Sequence, residues 1–481
     1  MNFEVWDEFY RKSIYAGFSE IEKTNGILLG FNANVDAIKP VNEELLHVLT
    51  AEESNVDITQ IPKSKIIRTP HDLLVGLLHC MKNGVGEEWQ ITNPNVYTWL
   101  SETLSPEAFA IGGQSGIMAN VASRLGVKNI ILNAPVVPIM LAKLLEKGVL
   151  IPKLVNNELR LLNPHEIAID SKELVHWIFE FRKGFKVVIN DRSFIVPESR
   201  RFIATYDPIN SEVTIDPGFV EAGKKYAKKV KGAVLGGHHL LKPNNPSDYY
   251  IKKAKFTKNI IEMWKSVNQD FLVKYEAGYF SSTIIADIIK QIIFSSVDII
   301  GINEQELYQM VKLPSLSPNI TYQERAMLLL KSLIKLSELG KPRIGIHFHS
   351  MTLDMFYLIN SDILIKNEDF DALRNSLSLA ALLTSVTAFL GNIPSKKDLL
   401  TYAKNHENPL YYTDLSKKIV NSISEYVERY GGKKEDIETL GYTSFMNGVL
   451  FVIPIKYVPH PIKSVGLGDT CSVTQFLSYP M

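Results

Sequence analysis

Short apolar runs rich in β-branched residues alternate along the chain with longer segments of helical periodicity. Two of the amphipathic segments, 249–267 and 325–339, predict helices. The clearest predicted strands are six apolar runs at residues 26–36, 129–135, 232–237, 271–278, 297–303 and 343–349. Strands that alternate with helices are typical of a parallel sheet with crossover connections. The pattern therefore predicts an α/β fold.

Two regions depart from this alternation and predict a second, smaller unit. Residues 41–110 are more polar and helical, whereas residues 151–204 alternate between apolar and polar positions, as antiparallel strands do. A chain of 481 residues also exceeds the size at which one core stops growing. We predict a discontinuous α/β lid of residues 41–110 and 151–204. The large nucleotide-binding domain, a mostly parallel sheet flanked by helices, would comprise residues 1–40, 111–150 and 205–481.

Composition and charge narrow the class of protein. Lys+Arg and Asp+Glu both total 52, so no overall field favours nucleic acid or an anionic membrane as partner, and a small-molecule ligand is expected. Cys80 and Cys471 form neither a disulfide framework nor a paired metal motif. The N-terminus lacks a signal-like apolar segment, and the apolar run 378–391 predicts a buried helix. We expect a cytoplasmic protein that is a monomer or a small homo-oligomer.

The segment "SVGLGDT", close to the C-terminal end of the sequence, is the first candidate for chemistry. Gly466 and Gly468 let backbone amides approach an anion, and a helix from about Asp469 would add its positive dipole. A carboxylate beside such a cradle can accept a proton from a hydroxyl that attacks a bound phosphate. The simpler alternative is a glycine turn in which Asp469 caps a helix.

A second candidate is "FNANVDAIKP", where Asn32, Asn34 and Asp36 alternate at the end of a predicted strand. Alternation places these side chains on one face, where amides and a carboxylate suit the hydroxyls of a sugar. An Asx-rich turn is the alternative. Gly113 and Gln114 in "FAIGGQSG" allow a ligand close to the backbone, or they only begin a helix. The lysine-rich segment 223–232 is interpreted as a solvated helix face.

Taken together, these segments resemble the ADP-dependent sugar kinases of archaea, the glucokinase and phosphofructokinase family within the ribokinase-like superfamily. The resemblance is carried nearly end to end by "LLGFNANVDAIK", "IGGQSGIMAN", "FEFRKGFKV", "RRFIAT", "GINEQEL", "RIGIHFH" and "HPIKSVGLGDT". It implies a ribokinase-like large domain with a lid and ADP as the phosphoryl donor. Nothing in spacing or composition distinguishes ADP from ATP, so this donor follows from the resemblance alone.

The resemblance implies roles in phosphoryl transfer for several residues. Asp469 resembles the catalytic base of the family, and Gly466, Leu467 and Gly468 resemble its anion hole. Arg201 in "RRFI" resembles an arginine that reaches from the lid to the nucleotide phosphate, although Arg200 is adjacent. Gly468 would also contact the nucleotide.

The resemblance also implies a site for Mg²⁺ or another divalent cation. Asn303 and Glu306 in "NEQE" resemble the NxxE motif, which organises the water shell of the ion. Glu276 matches the glutamate of an HxE motif, but Lys274 stands where the family has histidine. A lysine there could reach a phosphate or hold Glu276. His349 is similar to the residue near the adenine.

The acceptor-binding residues implied by the resemblance are Asn34, Asp36, Gly113 and Gln114, with Asn32 as a neighbour. Glu88 matches a glutamate of glucose-using and bifunctional members, although Glu87 leaves the register ambiguous. A sugar phosphate instead requires cations, and three basic residues are candidates: Arg160, Arg182 and Lys183.

The predicted function is that of an ADP-dependent 6-phosphofructokinase, which converts fructose 6-phosphate to fructose 1,6-bisphosphate with release of AMP. The presence of both Glu88 and basic residues favours glucokinase activity as well. The alternatives are an ADP-dependent glucokinase, an ATP-dependent ribokinase-like sugar kinase, and a catalytically silent sensor of a sugar or nucleotide. The intact "GLGD" and "NEQE" segments argue against the sensor, because binding alone does not need a positioned base.

Overall fold

The computed structural model describes residues 4–51, 65–171, 174–189, 192–313, 320–359, 367–403 and 409–480. The helices that position the site are named in chain order: α1 Glu4–Lys23, α2 Glu43–Thr50, α3 Pro70–Asn83, α4 Pro94–Thr103, α5 Gln114–Arg124, α6 Ile139–Leu144, α7 Pro217–Tyr226, α8 Ser247–Val267, α9 Thr283–Ile292, α10 Glu304–Val311, α11 Tyr322–Gly340, α12 Asn367–Leu390, α13 Lys396–Ala403, α14 Asp414–Val427, α15 Lys434–Leu440 and α16 Leu467–Ser478.

The strands are named in the same way: β1 Gly26–Gly30, β2 Asn34–Pro40, β3 Ile66–Ile67, β4 Glu87–Ile91, β5 Ala108–Gly112, β6 Asn129–Leu132, β7 Val149–Val155, β8 Glu158–Leu162, β9 Val175–Phe181, β10 Lys186–Ile189, β11 Arg192–Ile195, β12 Arg200–Tyr206, β13 Gly232–Leu235, β14 Leu272–Glu276, β15 Ile299–Ile302, β16 Gly345–His349, β17 Leu353–Leu358, β18 Tyr442–Phe445 and β19 Gly448–Pro454.

Within the described residues, the large sheet contains 11 strands in the order β18-β19-β17-β16-β15-β14-β13-β1-β6-β7-β8. The strands from β16 to β7 pair in parallel, whereas antiparallel strands lie at both edges. Alternation along β1 sends Ile27 and Leu29 into one buried cluster and Leu28 into another. Both faces of the sheet are therefore covered, as a parallel sheet requires. The predicted α/β fold is confirmed.

In the part of the chain that the structure describes, the small sheet contains 6 strands in the order β3-β4-β12-β9-β2-β5. Its own core includes Leu74 from α3, Trp89 from β4 and Phe202 from β12. The aromatic rings of Trp89 and Phe202 meet edge to face, with 5.4 Å between centroids. This sheet therefore has a separate hydrophobic cluster rather than an extension of the large one.

Sheet membership differs from the predicted lid boundaries in three places. The predicted strand 26–36 is divided, because the chain leaves the large sheet after Gly30 and enters the small sheet as β2 at Asn34. Strands β7 and β8, predicted as lid, pair in the large sheet, whereas β5 pairs in the small one. Residues 52–64, 172–173 and 190–191 of the predicted lid lie outside the described residues. The division into two domains itself stays a prediction.

Helix α12 contains the predicted buried segment 378–391. The span Asp369–Leu390 has the length and apolar character of a membrane-crossing helix, but 78% of its apolar window is buried inside the fold. The helix ends at Leu390, and the next residue, Gly391, has a φ of 78°, in the left-handed region that favours glycine. The burial shows that α12 forms part of the core.

Candidate active site

The turn that precedes α16 is built to receive an anion. Gly466, the N-cap residue, has a φ of 71°, and no side chain caps the helix. The first intrahelical bond runs from the Thr470 N–H to the Gly466 carbonyl at 3.0 Å, so the N–H groups of Leu467, Gly468 and Asp469 have no helical acceptor. A Cβ at Gly466 would lie 2.8 Å from Ile117 Cδ1. The predicted anion cradle therefore has the required backbone geometry.

Asp469 lies in the first turn of α16 in an environment that keeps its carboxyl group basic. Burial raises the pKa of Asp469 to about 7, and the nearby carboxylate of Glu276 acts in the same direction. The charges of His349 and Arg201 oppose this rise. A pKa close to neutrality suits a group that accepts a proton from a sugar hydroxyl.

Arg201 connects the small sheet with the segment that precedes α16. It lies in β12, is half-buried, and its Nη1 donates to the carbonyl oxygen of Ser464 at 3.4 Å. Arg200 is exposed, and its guanidinium donates to the adjacent Ser199 carbonyl instead. Of the two arginines that the sequence left ambiguous, the structure thus places Arg201 beside the anion-binding turn.

Asn34 and Asp36 share one face of β2, as predicted, and form a preorganised polar pair. Asn34 Nδ2 donates to Asp36 Oδ1 at 2.7 Å. Burial raises the pKa of Asp36 to about 6, although His176 opposes the shift. The Oδ1 atom of Asn34 is buried and has no hydrogen-bond partner among the described residues. Such an oxygen would be satisfied by a ligand hydroxyl.

Glycines adjoin this pair closely and leave room for a ligand. A Cβ at Gly112 would lie 2.1 Å from Asp36 Oδ1, and one at Gly113 would lie 2.6 Å from Asn34 Oδ1. Gly113 also has a φ of 74°. Asn32 lies in the connection between β1 and β2 rather than on the strand, but its own buried Oδ1 also lacks a partner in the described part of the chain.

Gln114 is brought to the same corner, but its side chain braces the backbone. Its Nε2 donates to the Ala277 carbonyl at 2.8 Å, and its Oε1 accepts from the Gly237 N–H at 3.0 Å. These contacts tie the residues that follow β13 to those that follow β14. Gln114 thus positions the carboxyl edge of the parallel sheet.

Glu88, not Glu87, is the glutamate that lies near Asp36. Its Oε1 accepts from Thr205 Oγ1 at 2.6 Å. The carboxylate of Glu87 is instead held by Lys65 Nζ at 2.8 Å and by Trp89 Nε1 at 2.8 Å. The carboxylate of Glu88 is therefore the one that acts on Asp36, and its role in binding a sugar stays a prediction.

His176 in β9 is a site residue that the sequence analysis missed. Its strand partners are Asp36 and Thr205, and its Nε2 lies 3.1 Å from Asp207 Oδ2. Burial alone would lower the pKa of His176, but Asp207 outweighs this and raises it. A histidine in "LVHWIF" carries no local signal, since only the pairing of β2 with β9 brings it to Asp36.

Three basic residues were predicted to bind the phosphate of the acceptor: Arg160, Arg182 and Lys183. Among the described residues, none of them contacts Asn34 or Asp36. Arg160 lies in β8 of the large sheet rather than in a lid, because β8 pairs with β7. Arg182 and Lys183 follow β9, and Lys183 Nζ is paired with Glu198 Oε1 at 3.0 Å. Arg182 is six residues beyond His176, a separation of about 20 Å along an extended strand.

The predicted metal ligands lie at the ends of two neighbouring strands. Glu276 is the last residue of β14, and Asn303 follows β15. Asn303 caps α10 reciprocally with Glu306, and its Nδ2 donates to Glu306 Oε1 at 2.7 Å. Burial raises the pKa of Glu306 to about 8, with Glu276 and Asp469 acting in the same direction. The local excess of carboxylates is what a divalent cation would neutralise, and oxygen donors suit Mg²⁺.

The carboxylate oxygens in this group already accept hydrogen bonds from the protein. Glu276 Oε1 lies 2.8 Å from His349 Nε2, and its Oε2 accepts from Ser472 Oγ. Both oxygens of Glu306 accept from Asn303. The donor set therefore fits a hydrated Mg²⁺ held through its water molecules, which that ion releases reluctantly.

His349 and Lys274 both lie close to Glu276. His349 lies against Gly468, where an added Cβ would be 3.1 Å from its Cε1, and it pairs with Glu276. Its predicted place near the adenine stays a prediction. Lys274 is fully buried, and its Nζ contacts His347 Nδ1 at 2.8 Å and the Ser472 carbonyl at 3.0 Å. It therefore joins β16 to α16 inside the core, and its charge also acts on Glu276.

An anion-binding helix terminus, a nearby base and an arginine from a second sheet are the parts that a phosphotransferase requires. Residues 25–478 match the conserved region described as ADP-specific phosphofructokinase/glucokinase, so the chain belongs to this family. The predicted class of enzyme, an ADP-dependent sugar kinase, is thereby confirmed.

Curated relatives match over nearly the whole chain. An ADP-specific phosphofructokinase of Pyrococcus horikoshii is 30% identical, with 94% of this chain and 97% of the relative covered. An ADP-dependent glucose/glucosamine kinase of Pyrococcus abyssi is 27% identical, with 98% of each covered. The solved structure of an ADP-dependent kinase complex with fructose-6-phosphate and ADPβS shares the fold, with a TM-score of 0.82, 24% identity and coverage of 100% and 98%.

Proposed function

We propose that the protein is an ADP-dependent 6-phosphofructokinase. It transfers the β-phosphoryl group of ADP to a hydroxyl of fructose 6-phosphate, and the products are fructose 1,6-bisphosphate and AMP. Glucose serves as a second acceptor. The bond between the bridging oxygen and the β-phosphorus of ADP breaks, while the acceptor oxygen forms the new bond and loses its proton to the base.

The observation that carries this proposal is the position of Asp469 in the uncapped first turn of α16, with Arg201 next to the same turn. Asp469 accepts the proton of the acceptor hydroxyl. The free N–H groups of Leu467, Gly468 and Asp469 donate to the oxygens of the transferring group, and the planar fork of Arg201 binds the same charge. A base alone would suit other reactions, but together with two anion-binding elements it favours phosphoryl transfer.

The choice of acceptor is supported by the relatives, whose names include both phosphofructokinases and a glucose/glucosamine kinase. The pocket of Asn34, Asp36 and Gly113 offers hydrogen-bond acceptors and space for the sugar hydroxyls that both substrates share. Glu88 favours a neutral sugar, whereas Arg160, Arg182 and Lys183 are our candidates for the acceptor phosphate. Because Arg182 and Lys183 follow a strand of the same sheet as Asp36, a rearrangement of the turn after β9 would be needed to bring them to the pocket.

Mg²⁺ would be held by Glu276, Asn303 and Glu306 through its hydration shell, and it supplies positive charge to the phosphates when bound. The protein itself fixes these groups, because Asn303 and Glu306 cap α10 reciprocally while His349 orients Glu276. We further propose that the enzyme acts in the cytoplasm in sugar breakdown, as a monomer or small homo-oligomer, without a nucleic-acid partner.

The test measures AMP formation from Mg·ADP with fructose 6-phosphate and, separately, with glucose, for the wild type and Asp469→Ala. Turnover with fructose 6-phosphate that is lost in Asp469→Ala supports the proposal, and the rate with glucose tests the second activity. Transfer from ATP alone would contradict the donor, and turnover with glucose alone would contradict the acceptor. Binding of both ligands without AMP formation would indicate a sensor.

A further inference from the structure

The segment Ile462–Ser464, which precedes the turn at Gly466, is held by hydrogen bonds to α12 and to Arg201. The N–H groups of Ile462 and Lys463 donate to the Ala388 carbonyl at 2.8 and 3.1 Å. Ala388 lies in the last turn of α12, so these bonds satisfy a carbonyl that the helix leaves free. The next residue, Ser464, accepts from Arg201 at 3.4 Å. The backbone of Lys463 is therefore anchored three residues before Gly466.

The side chain of Lys463 is half-buried, and its ammonium group has no partner within the described ranges of the chain. Burial lowers the pKa of Lys463, and the charge of Asp469 opposes that shift. Asp469 is thus the charged group that acts on it most strongly, although the two do not form an ion pair. A half-buried ammonium group without a partner, carried by a segment fixed beside a turn with free N–H groups, is available to an anionic ligand.

We propose that Lys463 contacts the terminal phosphate of a nucleoside diphosphate in the anion-binding turn. This inference rests on the proposed function and adds a second phosphate-binding cation to Arg201. The two cations have complementary geometry, since the guanidinium of Arg201 is a planar fork and the ammonium of Lys463 is a compact point charge. Lys463 belongs to the segment Ile462–Ser464, and Arg201 contacts the same segment through the Ser464 carbonyl.

A purely structural role makes a different prediction. A lysine near the C-terminus of a helix can favour the helix dipole, which here would be that of α12. Removing the charge would then lower the stability of the protein slightly and leave nucleotide affinity unchanged. The two roles are therefore separated by a binding measurement.

The experiment compares Lys463→Met with the wild type by calorimetric titration with Mg·ADP and with AMP. Methionine retains most of the aliphatic length and removes the charge. The matched control is Lys228→Met, which removes one exposed lysine from the segment 223–232. Lys463→Arg tests whether another cation restores binding, and the thermal stability of each variant is measured in parallel.

We expect Lys463→Met to weaken ADP about 10-fold to 100-fold, the effect of losing one charge-assisted contact, and to change AMP affinity less than about 2-fold. Lys463→Arg should recover part of the loss, and Lys228→Met should match the wild type. Equal weakening of ADP and AMP, or unchanged ADP affinity, would overturn the inference. Neither titration requires turnover. If the wild type forms no AMP with either sugar, the proposed function fails while the ADP and AMP affinities still decide the role of Lys463.

Discussion

Replacement of Asp469 by asparagine should abolish phosphoryl transfer and at the same time stabilise the protein at alkaline pH. Asparagine keeps the shape of the side chain but cannot act as a base. Loss of a general base lowers kcat by about 10²-fold to 10⁴-fold. The effect on stability follows from the environment of the carboxyl group, whose pKa is raised by burial and by Glu276.

The sign and size follow from linkage. The folded protein holds the proton of Asp469 with a pKa of about 7, against 3.8 as the ordinary value. The stabilisation from this tighter proton binding is fully present below about pH 4 and is lost as pH rises through about 7. The full difference corresponds to about 4 kcal/mol. Because Asp469 is only half-buried, water screens part of this difference, and we expect about 1–2 kcal/mol between about pH 5 and pH 8.

The assay is urea unfolding of the wild type and Asp469→Asn at four pH values from about 5 to 8, in the presence of a chelator. Asp469→Asn has no carboxyl group to titrate, so its stability relative to the wild type should rise with pH. A constant offset between the two proteins across this range would refute the inference that the fold penalises the ionised base. Unchanged AMP formation by the variant would refute the role of Asp469 itself.

Three further predictions test residues around the base. Lys274→Met should lower the free energy of unfolding by about 2–4 kcal/mol, because it leaves buried acceptors unpaired, and a denaturation midpoint equal to that of the wild type would contradict this. Glu88→Gln should lower kcat/KM for glucose about 10-fold to 100-fold and affect fructose 6-phosphate less. Glu87→Gln is its matched control, since that carboxylate faces Lys65, and equal losses in both variants would remove the assigned role. Gly113→Ala should raise KM for both sugars with a smaller change in kcat, because the new Cβ would meet Asn34 Oδ1 at 2.6 Å in a backbone conformation that favours glycine, and unaltered KM values would show that the turn adapts.

Features that depend on short stretches of chain were predictable from the sequence. The predicted strand 343–349 includes β16, and the predicted helix 249–267 lies within α8. The turn before α16 was also predictable, because Gly466 has a positive φ that favours glycine. Hydrophobic periodicity and the positive φ of a glycine are properties of a few adjacent residues, so one sequence is enough to reveal them.

Which side chains meet at the site was decided only by the tertiary structure. Lys274 donates to a carbonyl 198 residues away, and His349 pairs with Glu276 across 73 residues. His176 joins Asp36 because β9 pairs with β2, and the division of 26–36 between two sheets depends on the same pairing. Local pattern shows that a residue lies on a buried strand but not which strand is its neighbour, since that choice minimises the free energy of the whole core. The sequence thus determined the elements and the glycine turn before α16, while the order of strands determined the partners of each polar group in the candidate site.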